Sequence, residues 1–595
     1  MWSITVPIRV ASLAKEIHKK ICRCFTPPLH SVLRSVTLRA QTLRPGIVVP
    51  NQLRSLKEIR LKQRVLAIAL SFGLLGSTLP RPVRADDELD SHKIKHVLLI
   101  SVDGLHALDL SNYVKAHPQS TLAQLSSHGV TYTNAATSTP SDSFPGLASL
   151  VTGGSPTTVG LWYDVTFNRA TAQQAASNPD IGTTGGPCPS TTGGIVEYDE
   201  GVDIDLKRLD GGGGINPAFL PRTATTCKPI LPHEYLRVNT VFEVVKANHG
   251  LTAWTDKHPS YEWTNGPSGQ GVDDFYGPEI NSIPVPLPFP GCTPVPFQDN
   301  TPDDGWTNSF ADIQCYDETH VVAVLNQIDG WNHDRSKKVG VPTIFGTNFQ
   351  AVSVGEKLKV DPVTGATGGY ADVLGTPNPG MASELDYIDR SLGKFVAELK
   401  KEGIYDSTLL IVGAKHGQSP IDITKNHNIG GGEPTNTLGA ADAFDISDDG
   451  SLIWLTSPSL VDGVVKQISD PAVQAHLGIQ EIFAGQSLQN KFNSPVDDPR
   501  TPDIILKVNT GVIFTGGTKI AEHGGFNEDD THIALLVSNP GLGSITVKTP
   551  VSNQQVPATI LRVLGIDPNQ LQAVRKEQIH VLPFLLSDGD SDDRK

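Results

Sequence analysis

Two apolar runs without polar alternation stand out along the chain. "VLLI" at 97–100 leads into Asp103-Gly104, and "TLLIVG" at 408–413 leads into Lys415-His416-Gly417. Such runs belong to strands buried on both faces. Elsewhere the apolar spacing is three to four, the period of a helix. The plainest case is "MASELDYIDRSLGKFVAELKKEG", where Leu385, Ile388, Leu392, Val396 and Leu399 share a face. The same reasoning predicts helices in "STLAQLSSHG", "SFPGLASLVTG", "NTVFEVVKANHG", "ETHVVAVLNQIDG" and "PATILRVLGI". Further strands are predicted in "VTYTNA", "LTAWTDKH", "VPTIFGTNFQAVSV", "SLIWL", "DIILKV" and "HIALLVS". Strands alternating with helices over this length predict an α/β fold: a mostly parallel central sheet with helices on both faces. Sites in such sheets form beyond the carboxyl ends of the strands. Asp103 and His416 both stand at such an end.

Two stretches break the alternation. Residues 165–235 are rich in Gly, Thr, Pro and Asp, and about 265–315 are Pro-rich; both read as loop-rich insertions. With 56 Gly and 44 Pro, many loops are expected. No repeat of fixed period is present.

The N-terminus has a different character. Residues 1–85 hold 15 Lys and Arg against 2 acids, leaving 33 against 61 for the remainder, a net −28. The apolar run "VLAIALSFGLLGSTL" spans only 65–79, short of the roughly 20 residues a membrane span needs. Val83 and Ala85 fit the small-residue positions before a cut at Asp86. This is the pattern of a basic leader plus signal peptide over 1–85, with the mature domain at 86–595 and export to a periplasmic or extracellular space. It leaves no stable membrane span after cleavage. The acidic remainder argues against nucleic acid as a partner. Four cysteines follow the leader: Cys188, Cys227, Cys292 and Cys315. In an exported chain they predict two disulfides. Of the three pairings, the local one, Cys188–Cys227 with Cys292–Cys315, is favoured.

Ser143 opens the helix of "SDSFPGLASLVTG", with Pro145 in its first turn. A hydroxyl there caps a helix or meets an anion held by the free N–H groups. His416 and His523, the latter in "AEHGGF", are each followed by Gly, which lets backbone approach a site closely. In order, "SVDG", "SDSFPG", "AKHGQ" and "AEHGGFNEDD" resemble the motifs of the type I phosphodiesterase/nucleotide pyrophosphatase family of the alkaline phosphatase superfamily. The resemblance runs from about residue 94 to 570 outside the insertions.

That family is expected to hold two zinc ions at the sheet edge and to form a covalent phospho-enzyme. By resemblance, Asp103, His416 and His523 are metal ligands and Ser143 is the nucleophile. Three positions depart from the pattern. Lys415 stands where the family has Asp; Asn348 and Val352 stand where it has Asp and His. Asp164 falls near the asparagine that holds a phosphate oxygen, so Asp164 and Asn348 are read as substrate-binding. With those carboxylates missing, two zinc ions would be poorly neutralised and under-ligated. One divalent ion, zinc by resemblance, is favoured over two, with none also open. Lys415 is then a catalytic cation, and His416 or His258 the base. The expected activity is hydrolysis of a small phosphorylated substrate, of phosphodiesterase or pyrophosphatase type. A single-metal phosphomonoesterase or sulfatase-like hydrolase, and a non-catalytic protein that binds a phosphorylated ligand, remain as alternatives.

Overall fold

The computed structural model describes residues 93–178, 182–188, 193–293 and 305–585. The leader and signal segment, 1–85, lies outside the described residues. Eight strands form the central sheet: β1 (His96–Val102), β2 (Gly129–Tyr132), β3 (Ala253–Thr255), β4 (Asp274–Tyr276), β5 (Ile344–Phe349), β6 (Thr408–Gly413), β7 (Leu535–Ser538) and β8 (Ile545–Val547). Their order is β8-β2-β7-β6-β1-β5-β3-β4. Only β7 runs against its neighbours; the other pairings are parallel. The α/β fold with a mostly parallel sheet is the one the patterning predicts. β1, β5 and β6 are buried almost throughout, which is why their sequences carry continuous apolar runs rather than alternation.

Helices cover the sheet in two groups: α1 (Ser143–Thr152), α2 (Val241–Ala247), α3 (Phe310–Ile328), α4 (Ala351–Lys357), α5 (Pro379–Lys401) and α6 (Gln555–Val563). α3, α4 and α5 pack on one another, and α1, α2 and α6 do the same. Leu385, Ile388, Leu392, Val396 and Leu399 of α5 are all buried, as their spacing requires.

Two features go beyond what the patterning specifies. "SLIWL" and "DIILKV" are strands, but outside the central sheet. They belong to a separate four-stranded antiparallel sheet of Asp442–Ser447, Gly450–Leu455, Ile479–Ala484 and Ile504–Val508, which has its own apolar cluster. A buried apolar run states that a strand is covered, not which sheet covers it. Second, the Pro-rich stretch 265–315 is not wholly loop, because β4 lies within it and forms the sheet's edge. Both disulfides follow the local pairing, Cys188–Cys227 and Cys292–Cys315. Among the described residues, no helix is long and apolar enough to cross a membrane.

Candidate active site

Strand register brings the chemistry to one edge. Ser101 of β1 pairs with Asn348 of β5 on one side and Gly413 of β6 on the other, and Thr347 of β5 pairs with Thr255 of β3. The chain therefore leaves the four strands side by side, carrying Asp103, Gln350, Lys415-His416 and Asp256-Lys257-His258. This is the carboxyl edge, where open α/β sheets place their sites.

Ser143 arrives from α1. Asp142 caps that helix by accepting from the Phe144 N–H at 3.0 Å, and every residue of the helix is buried. Its first turn lies against the backbone of residue 415, so closely that a Cβ on Gly146 would run into the Lys415 carbonyl. Glycine is the residue type this contact admits, and the contact sets Ser143 beside His416. The Ser143 Oγ lies 3.1 Å from His416 Nε2. On its other side Lys257 Nζ donates to it at 2.9 Å. The same ammonium lies 3.5 Å from Asp103 Oδ2, and His416 Nε2 lies 3.7 Å from that oxygen. Gln350 Nε2 donates to Asp103 Oδ2 at 2.6 Å.

Protonation follows from these partners. His416 Nδ1 lies 2.8 Å from the Gly417 carbonyl, which only accepts, so Nδ1 carries the proton. Burial lowers the His416 pKa, partly opposed by the Asp103 carboxylate, and the ring is neutral. Nε2 is then a free acceptor aimed at the Ser143 hydroxyl. Burial opposes ionisation of Asp103, but the Lys415 and Lys257 ammonium groups outweigh it and hold the carboxyl well below its usual range. Burial works against the Lys257 charge as well; Asp103, Asp256, Asp142 and Asp164 overcome it and raise its pKa. For His523, burial pushes the pKa well below the ordinary value. The His416 and His523 rings lie 3.9 Å apart.

A cleft of about 370 Å³ opens over Ser143, with Asp164, Glu200, Lys257, His258 and His523 in its wall. Burial, then the Asp164 charge, raises the pKa of Asp142 well above normal; burial also raises that of Asp164. A larger cleft of about 880 Å³ elsewhere, near Leu231 and Phe275, contains none of the predicted site residues.

Lys415 is placed differently from its expected role. It is fully buried behind the site, 2.7 Å from Asp256 and 4.3 Å from the centre of the Tyr261 ring, and it does not line the cleft. The cation that touches Ser143 is Lys257. The motifs do not single out Lys257, Asp256 or Gln350: Asp256 and Lys257 fall inside the predicted strand "LTAWTDKH" and Gln350 inside "VPTIFGTNFQAVSV", whereas the strands end at Thr255 and Phe349. Asn348 lies in β5 with both amide atoms buried and without a partner. His258 does not reach Ser143 as a base; its Nδ1 lies 2.8 Å from Glu279.

The residues around Ser143 do not fit a two-zinc centre. Val352 supplies no ligand and Asn348 no charge. The Lys257 ammonium sits between Ser143 and Asp103, where a bridging ion would be needed. Among the described residues, groups whose ligand atoms lie within 4.8 Å of one another are found elsewhere: His106/Asp109/Glu356, Glu200/His258/Glu279 and Asp329/Glu398/Glu402.

Comparison with known proteins agrees with the motifs. The sequence model of the type I phosphodiesterase / nucleotide pyrophosphatase family matches residues 97–187 and 366–531, segments that hold Asp103, Ser143, Lys415, His416 and His523. No curated protein matches the chain by sequence. Among solved structures, wild-type alkaline phosphatase PafA is similar at TM-score 0.50 and 12% identity, covering 82% of this chain and 97% of that one. Murine ectonucleotide pyrophosphatase / phosphodiesterase 5 is similar at TM-score 0.46 and 13% identity, covering 84% and 99%. An inactive form of that murine protein is known in complex with AMP.

Proposed function

We propose that this chain, a phosphoric ester hydrolase by its match to the type I phosphodiesterase / nucleotide pyrophosphatase family, cleaves small phosphodiesters or pyrophosphates through a covalent Ser143 intermediate. One observation carries the reading: the Ser143 Oγ is bracketed by a neutral His416 Nε2 at 3.1 Å and the Lys257 ammonium at 2.9 Å. The hydroxyl donates to the histidine while it accepts from the lysine, which is the arrangement an activated oxygen nucleophile requires.

In the first step the Ser143 Oγ forms a bond to phosphorus, the bond to the leaving oxygen breaks, and the Ser143 proton passes to His416 Nε2. The ionised Asp103, 3.7 Å away, favours the imidazolium that results. Lys257 offsets the charge on the phosphoryl oxygens, a task for a fixed cation at the point where charge develops. His416 then returns its proton to the leaving oxygen. In the second step it takes a proton from water, whose oxygen bonds to phosphorus as the bond to Ser143 Oγ breaks; His416 then passes that proton to Oγ, which restores both groups and releases the phosphate product. Asn348, with its buried unpartnered amide, and Asp164, whose burial favours the protonated donor form, are proposed contacts for phosphate oxygens. The two disulfides accord with a chain that is exported.

Ser143→Ala tests the assignment. Turnover of bis-p-nitrophenyl phosphate is expected to vanish with circular dichroism unchanged, whereas wild-type turnover in that variant would overturn the nucleophile.

A further inference from the structure

One wall of the cleft over Ser143 carries a group of side chains able to ligate a cation. Glu200, His258 and Glu279 each present one ligand atom within 4.8 Å of the others. Glu279 is fully buried and His258 nearly so. A fourth group stands behind them: Asp203 is 3% exposed, and neither of its carboxylate oxygens finds a hydrogen-bond donor. Its carboxyl lies against that of Glu279. A buried carboxyl without a donor is costly as the anion: burial, then Glu279, pushes the Asp203 pKa up to about 10, and a metal nearby is what would offset its charge. The ammonium of the adjacent residue, Lys257, is directed to Ser143 and Asp103 instead.

We propose that Glu200, His258 and Glu279, with Asp203 beside Glu279, bind one divalent cation of the class that accepts carboxylate and imidazole together, such as Mn²⁺. Two carboxylates and one imidazole make a hard, oxygen-rich donor set with a single nitrogen, which suits such an ion. Glu279 lies 2.8 Å from His258 Nδ1, so an ion held by both takes the place of the proton they otherwise share. Glu200 and His258 both line the cleft, so the ion faces the space over Ser143 without being part of the Ser143–His416 pair. The site is separate from the proposed hydrolysis and stands or falls without it.

Full-length protein stripped with a chelator and titrated with Mn²⁺, read by electron paramagnetic resonance, is the test. Wild type is expected to immobilise one Mn²⁺ per chain. Glu200→Gln, a same-shape change at a half-buried position, is expected to weaken binding at least tenfold, and Glu279→Gln to abolish it. Ser143→Ala and Asp103→Asn are expected to bind as wild type does, so loss of hydrolysis and loss of cation binding are read separately. Absence of binding by wild type overturns the proposal and favours a proton shared by Asp203 and Glu279. Wild-type affinity in Glu200→Gln, or loss of the ion in Asp103→Asn, overturns it as well.

Discussion

Lys415, fully buried, and Lys257, partly exposed to the cleft, both stand beside Asp103, yet they divide their work. Lys415 is tied to Asp256 and covered by Tyr261, so it helps keep Asp103 ionised from behind. Lys257 alone reaches the hydroxyl. Removing its charge should therefore act on the chemical step more than on folding. Lys257→Met is expected to lower kcat about 10²–10³-fold, the usual loss for one fixed donor at a developing anion. Lys257→Arg should retain part of the rate, because the charge stays while its geometry changes. Steady-state kinetics on a phosphodiester with both variants checks this. A Met variant that raises KM alone would reduce Lys257 to a binding contact.

At the level of elements, the nucleophile depends on one helix end held against one strand end. Gly146 permits that contact. Gly146→Ala inserts a methyl against the Lys415 carbonyl, which the buried helix cannot avoid. Overpacking of this kind costs about 1–3 kcal/mol, and a shift of about 1 Å at a reacting atom costs about 10²-fold in rate. The variant should unfold at lower denaturant and lose activity beyond the loss of folded protein; wild-type values for both would show that α1 is not clamped there. The sequence made β1, β6, α1 and α5 legible because each is marked by an uninterrupted apolar run or a helical stripe. It brought Asp103, Ser143 and His416 together through strand ends and a helix start. It did not reveal Lys257, because the predicted strand "LTAWTDKH" runs past it, whereas the strand ends at Thr255, paired with Thr347, and leaves Lys257 at the edge. Nor did it divide the late strands between two sheets, since pairing partners far apart in sequence leave no local trace. The resemblance suggested a cationic role for Lys415, and only packing shows which of the two lysines faces the cleft.

For the whole molecule, the distribution of buried carboxyls sets the response to pH. The chain carries a net −15 at pH 7, and several acids are buried near one another. Burial, then Glu522, pushes Asp448 up to about 7; burial does the same for Asp530, against hydrogen bonds from its neighbours. Burial is again the first cause for Glu197, also about 7. These groups bind protons in the folded chain at pH values where the unfolded chain has already lost them. Between about pH 4 and 7 the folded state thus holds more protons, and stability falls as pH rises through that window. One such group contributes about 2 kcal/mol between pH 7 and 5.5. Asp498 works in the opposite sense. Burial opposes its charge, but the paired hydrogen bonds from Arg237, both 2.6 Å, hold its pKa at about 2. Its contribution is present above the usual carboxylate pKa and is lost as pH falls toward 2. The stability maximum should therefore lie on the acid side of neutrality, above the range where Asp498 protonates. Denaturant unfolding of the full chain is expected to give a higher midpoint at pH 5.5 than at pH 8, with a steep loss below about pH 3.5. A midpoint that rises from pH 5.5 to 8 would mean that Asp448, Asp530 and Glu197 are ionised in the fold, with cations neutralising them.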